Sequence, residues 1–288
     1  MQKTIRLASN LLKNSGLNET YLPQVKLFIN ETTTEKMPLL YKQGIIFVLQ
    51  GEKCIYEQSN KIIYNKENML VLTVPMPLSC KAFALDNKPI ISMLMDIETS
   101  MLNQLIDSME HTKTLEKIDK GNNDKGLFIT KVSEQINSAI ERLLTVLQSH
   151  EEAEIFGKDI MKEILYCILK TKEATPLYAL ALKNTNLSKI EKALQDVQVN
   201  YSKQYDVESL AKSVNMSVSS FHQAFKNVTS TSPIQYLKKI RLSKAKDFLV
   251  EQNASVTEAA LHVGYESVSQ FNREFKRYYG VTPGSINR

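Results

Sequence analysis

Two sets of polar side chains recur in this chain of 288 residues. Ser219, His222, Gln223 and Lys226 form the first; Ser269, Asn272, Arg273 and Lys276 repeat the same spacing fifty residues later, with Arg277 added. Side chains at i, i+3, i+4 and i+7 share one face of a helix. Such faces offer recognition by hydrogen bonding. Arg can hold guanine, and Gln or Asn adenine, through paired bonds that discriminate by about 1–3 kcal/mol. Ser219, His222, Gln223, Ser269, Asn272 and Arg273 are the candidates for reading base edges. Lys226, Lys276 and Arg277 lie further along and suit phosphates, which position a protein without reading sequence.

The elements that must carry these faces are also duplicated. Phe221, Phe225 and Val228 fall on the opposite face of the first helix, as Phe271, Phe275 and Tyr278 do in the second. Before each lies a shorter amphipathic segment, with Val207, Leu210, Ala211 and Val214 in one copy and Val256, Ala259, Ala260 and Val263 in the other. Asn215-Met216 and Gly264-Tyr265-Glu266 supply the turns, since Asn and Gly accept the left-handed conformation. Ser217 and Ser267 are placed as N-caps, and Gln270, three residues beyond Ser267, fits a capping box. Ser232-Pro233 starts a long connecting helix, in which Arg241 is read as a structural ion pair rather than a phosphate contact. Helix, tight turn and second helix, twice over, suit entry into two grooves of one duplex.

The segment from about Ser188 to Pro283 resembles the AraC/XylS family of bacterial transcription regulators, through GYESVSQFNREFKRYYGVTP above all. The resemblance implies seven helices, two helix-turn-helix units and contacts to two adjacent major-groove segments. Arg273 matches a position often held by Arg in that family, whereas its first-copy counterpart is Gln223.

Residues 21–97 hold seven short apolar runs, VKLFIN, GIIFVLQG, KCIYEQ, KIIYN, MLVLTV, CKAFAL and ISMLMDI, separated by turn residues. They predict seven strands in a sandwich or barrel. The stretch from Tyr21 to about Met109 resembles the cupin-like N-terminal domain of one AraC subgroup, which implies a small-molecule sensor. Ile46, Val48, Tyr56 and Met93 are possible lining for an uncharged or aromatic effector, although ordinary core explains each. Spacings of three and four predict helices over Glu98–Met109, Leu127–Gln148 and Lys158–Lys170. The last two could form a dimer seam or pack on their own barrel. GNNDKG from Gly121 to Gly126 is a turn or linker, and Pro176 and Asn184 to Asn186 mark a boundary. The expected architecture is α+β: a cupin-like β-barrel over 1–115, a helical linker or dimerisation region over 116–185, and an all-α domain with two helix-turn-helix units over 186–288.

Composition bounds the rest. From Asn186 onward lie 14 of the 36 Lys and Arg but 9 of the 31 Asp and Glu, so the whole net charge of +5 sits with the duplicated motif. Positive surface of this kind binds phosphate backbones through counterion release. Cys54, Cys80 and Cys167 are scattered, as in a reducing compartment. No run approaches a membrane span and no signal peptide is evident, so a cytoplasmic location is expected. No histidine precedes His111, and His150, His222 and His262 show no ligand spacing. Glu52, Glu57 and Glu67 alone make no metal site. No cofactor, metal or catalytic residue is therefore expected. The expected partners are double-stranded promoter DNA, RNA polymerase, a small-molecule effector and a second copy of the chain. A cupin-type enzyme fused to a DNA-binding module and a barrel that only dimerises are the other readings.

Overall fold

A computed structural model describes residues 2–57, 60–111, 125–182 and 184–286. Helix α1 (Gln2–Leu11) precedes strands β1 (Gly16–Glu19), β2 (Val25–Asn30), β3 (Met37–Tyr41), β4 (Gly44–Gln50), β5 (Glu52–Glu57), β6 (Asn60–Asn65), β7 (Asn68–Leu72), β8 (Met76–Phe83) and β9 (Ile90–Asp96). Then come α2 (Thr99–His111), β10 (Leu127–Lys131), α3 (Glu134–Val146), α4 (His150–Leu169) and α5 (Thr175–Ala181). The remainder is helical: α6 (Asn186–Val199), α7 (Val207–Ser213), α8 (Val218–Thr229), α9 (Pro233–Glu251), α10 (Val256–His262) and α11 (Val268–Tyr279).

The strands form one antiparallel sheet in the order β1-β2-β9-β4-β7-β6-β5-β8-β3, with β10 added to β7. β4 lies inside it, with Phe47 opposite Met93 of β9, and Ile45 to Leu49 are all buried. An unbroken apolar run is what a strand covered on both faces requires. At Gly51 the backbone takes φ +84°, and a Cβ there would stand 2.8 Å from the Phe83 carbonyl oxygen. This corner passes the chain from β4 to β5, which pair with different neighbours, so the sheet curls. Its two ends meet, since Leu17 and Phe28 from one end and Met37 and Leu39 from the other line one cavity.

All seven predicted strands are present, within a few residues. The structure adds β1, β3 and β10. The helix predicted from Leu127 begins only at Glu134: Leu127–Lys131 pairs with β7, and Ser133 caps α3 by accepting from the Ile136 N–H. The second predicted helix extends back to His150, capped by Ser149. Pro176 stands in the first turn of α5 and is buried, so it starts a helix instead of ending a unit. Asn184, at φ +73°, stands between α5 and α6, and Thr185 caps α6. Of the predicted Gly121–Gly126 turn, residues 121–124 lie outside the described residues, as does the 115/116 division. The α3 and α4 pair packs inward, burying Ile140 and Leu143 from one and Ile160 and Ile164 from the other.

Among the described residues, buried apolar side chains form two clusters. One runs from the sheet through α2–α6 into α7, α8 and the first half of α9, ending at Tyr236 and Ile240. The second is smaller: Leu242, Ala245 and Leu249 of α9 with Ala259, Ala260, Val263, Tyr265, Phe271 and Phe275. The first helix-turn-helix unit is thus rooted in the same core as the sheet. Three polar contacts fasten it there. The Gly126 N–H donates to the Val228 carbonyl at 2.9 Å, the Ser230 hydroxyl to Glu57 at 2.6 Å, and the Tyr236 hydroxyl to the Pro75 carbonyl at 3.0 Å.

Candidate nucleic-acid interface

Each unit is built by the same local rules. Asp206 caps α7, accepting the Ser209 N–H at 2.7 Å; that backbone bond holds its carboxyl below the ordinary range. Ser255 caps α10 at the corresponding place, and Glu258 returns a bond to the Ser255 N–H at 2.8 Å. That bond likewise holds the Glu258 carboxyl low. Ser217 and Ser267 cap α8 and α11, each accepting the N–H three residues on. The predicted capping box at Ser267 is not made: the Gln270 amide donates to Glu274 at 3.2 Å, and the box sits at Ser255–Glu258 instead. Ser232 occupies the N-cap of α9 with no side-chain bond, followed by buried Pro233. Ser230 and Gly280 close the two reading helices in left-handed conformation, again fifty residues apart.

On α8, Phe221, Ala224, Phe225 and Val228 are buried; on α11, Phe271 and Phe275 are, with Tyr278 partly so. The opposite faces are open. Ser219, His222, Gln223 and Lys226 are exposed on α8, and Ser269, Asn272, Arg273, Lys276 and Arg277 on α11. Neither the sheet nor α9 covers any of the nine. Helix α9 spans 19 residues, about 28 Å, and joins the two units rigidly.

The second unit is oriented by a clamp that the sequence did not announce. Arg241, in mid-α9, makes no ion pair among the described residues; its guanidinium donates to three backbone carbonyls, Tyr201 at 2.8 Å, Lys203 at 2.9 Å and Gly264 at 3.0 Å. Burial lowers its pKa. The α6–α7 loop is thereby tied to the turn before α11. That turn needs Gly264, whose φ is +86° and where a Cβ would collide with the Ser202 carbonyl oxygen. Glu274, next to Arg273, is taken up internally, with Lys238 and Tyr265 each 2.8 Å away. Burial alone would raise its carboxyl, but bonds from Lys238, Tyr265 and Gln270 outweigh it and hold it low. An acidic side chain is thus neutralised beside a basic face. His262 stacks on Phe248, ring centroids 4.3 Å apart, as a packing residue.

In the sheet, Ile46 lines the cavity between the two ends, together with Lys53 of β5, Lys26, Lys42 and Asp96. Val48, Tyr56 and Met93 do not line that cavity; Met93 is core, and Val48 faces a separate groove beside α3. Glu57 is taken by Ser230. No helix among the described residues is long and apolar enough to cross a membrane.

Residues 21–176 match the family described as AraC-type transcriptional regulator N-terminus, and residues 210–288 a helix-turn-helix domain. The thermoregulatory protein LcrF of Yersinia pestis is 23% identical over 159 residues, which cover 55% of this chain and 58% of LcrF. The chain therefore spans little more than half the length of that curated relative. Among solved structures, the apo form of a lysine-to-alanine variant of ToxT from Vibrio cholerae strain SCE256 has a TM-score of 0.63 at 12% identity, covering 92% of this chain and 97% of that one. Wild-type ToxT bound to an unsaturated fatty acid has a TM-score of 0.58 at 13% identity, covering 91% and 94%. At such identities the likeness is one of fold: a curled antiparallel sheet joined to a helical domain.

Proposed function

The chain belongs to the AraC-type transcriptional regulator family, and on that premise we propose that it is a sequence-specific DNA-binding regulator of transcription controlled by a small molecule. The observation that carries the reading is the pair of reading helices. Each is fixed by buried aromatic side chains on one side and presents polar and basic side chains on the other. Arg273 and Asn272 in α11, with Ser269, are assigned to base edges, as are Gln223, His222 and Ser219 in α8. Lys226, Lys276 and Arg277 are assigned to phosphates. Division of labour follows the ranges 1–115 for sensing, 116–185 for linkage and possible pairing of two copies, and 186–288 for DNA.

Control would be a population shift, in which an effector in the curled sheet favours one arrangement of the DNA-binding units. The docking of α8 and α9 on the sheet supports this, and so does the fatty acid held by ToxT. Promoter DNA and RNA polymerase are the partners, the cytoplasm is the compartment, and the chain carries no catalytic activity of its own.

Selection of bound duplexes from a random pool by the full chain tests the reading. Enrichment of sites with two half-motifs about one helical turn apart is expected. Recovery of unenriched DNA would refute it. Adding a low-molecular-weight cell extract should then change affinity for the selected site.

A further inference from the structure

The cavity between the two ends of the sheet holds about 350 Å³ and is walled by apolar side chains, Phe28, Leu39, Ile46 and Leu94 among them. Lys53 reaches into it from β5 and is only 7% exposed. Its Nζ donates to the Ser92 hydroxyl at 3.0 Å and lies 4.4 Å from the Phe28 ring centroid. Both partners are neutral. Among the described residues no carboxylate stands within ion-pair distance of it. Asp96, the acidic residue of the lining, has Lys42 and Lys26 as its cationic neighbours and Glu19 and Glu98 as its anionic ones. An ammonium has three donors, and a buried charge without a counter-charge is costly. A core position that needed only to be filled would be served better by Met or Leu.

We propose that this cavity binds a monoanionic effector with an apolar body, a carboxylate in the simplest case, and that the Lys53 ammonium is its counter-charge. The proposal rests on the effector-controlled reading above and names the chemistry of the effector. It sets a charged head group, on an aliphatic or aromatic body, in place of the uncharged effector expected from sequence. The anion would take the open donors of Lys53 beside Ser92, and its body would lie along Phe28, Leu39 and Leu94.

The same cavity has a route to the DNA-binding units. β3 supplies one wall through Met37, Leu39, Leu40 and Tyr41, and β3 also lies against α9 and α11. Lys42, at the end of that wall, feels the charge of Asp247 on α9. Filling the cavity therefore presses on the strand that touches the connecting helix and the second reading helix.

Calorimetric titration of the full chain with octanoate, phenylacetate, octanamide and phenylacetamide tests this. Either carboxylate should bind at least about tenfold more tightly than its amide, as loss of a charged bond implies. Lys53→Met should abolish that preference while leaving amide binding unchanged, and Lys53→Arg should retain it. Equal binding of acid and amide, or a Lys53→Met variant that still prefers the acid, would overturn the proposal. So would failure of both carboxylates to bind. Amide binding that changes affinity for the selected DNA site would leave the effector-controlled reading standing while the anionic assignment fell.

Discussion

Replacing Arg241 by Met removes three hydrogen bonds to backbone carbonyls and keeps the apolar stem of the side chain. A bond from a charged donor contributes about 1.5–3 kcal/mol when buried. Here the guanidinium is half-buried, and water can reach the Lys203 carbonyl, so the net loss is about 2 kcal/mol rather than the sum of three. The loss should also be local. The second helix-turn-helix unit has its own apolar cluster, and Arg241 ties it to the α6–α7 loop. Hydrogen exchange of α10 and α11 amides should therefore quicken about 30-fold, whereas β4 amides keep the wild-type rate. DNA affinity should fall with it, because α11 is no longer held at a fixed angle to α8. Unchanged exchange in α10 and α11, or equal acceleration in β4, would refute the idea that Arg241 orients the second unit.

Arg273→Ala should relax preference at one base position by about 1–3 kcal/mol, and Lys276→Ala should weaken all sequences alike and reduce the salt slope by about one; competition anisotropy at two salt concentrations checks both. Gly126→Ala would place a Cβ 2.5 Å from the Val228 carbonyl oxygen and 2.7 Å from Val74, so it should part α8 from the sheet, seen as loss of hydrogen-exchange protection at Val228–Tyr236. Burial lowers Lys53 from 10.5 to about 8, opposed by Cys80, while Lys26, Lys42 and Asp96 line the cavity around it. The folded state then binds fewer protons than the unfolded one between those values. The penalty, about 3 kcal/mol, is present below pH 8 and relieved as pH rises through the window. Lys53→Met should thus stabilise the protein by about 1–3 kcal/mol at pH 7 and by less at about pH 9.5, measured by urea titration with circular dichroism. A variant less stable at pH 7 would contradict this.

The duplicated units were legible because helix periodicity, caps and turn residues all agreed there: the faces written by Phe221 and Phe225, and by Phe271 and Phe275, are the buried ones. The central strands were legible from their unbroken apolar runs. β1, GLNE, lacks any alternation, and Pro38 interrupts β3, so neither announced itself. β10 was absorbed into a helix because Phe128 and Val132 continue the three- and four-residue spacing of α3; only pairing with β7 separates them. Arg241 could not be assigned, since its carbonyl partners are 23 to 40 residues away in loops. Lys53 was hidden for a different reason: charged residues on strands ordinarily face water, and the curl of the sheet turns this one inward.

The central claim is that α8 and α11 enter successive major grooves on one face of a duplex. Hydroxyl-radical footprinting of the full chain on a selected site measures this directly. Two protected patches, centred about 10 base pairs apart and offset as one face of the helix requires, are predicted, with the second lost in Arg241→Met. A single patch, or none with folded protein at low salt, would contradict it.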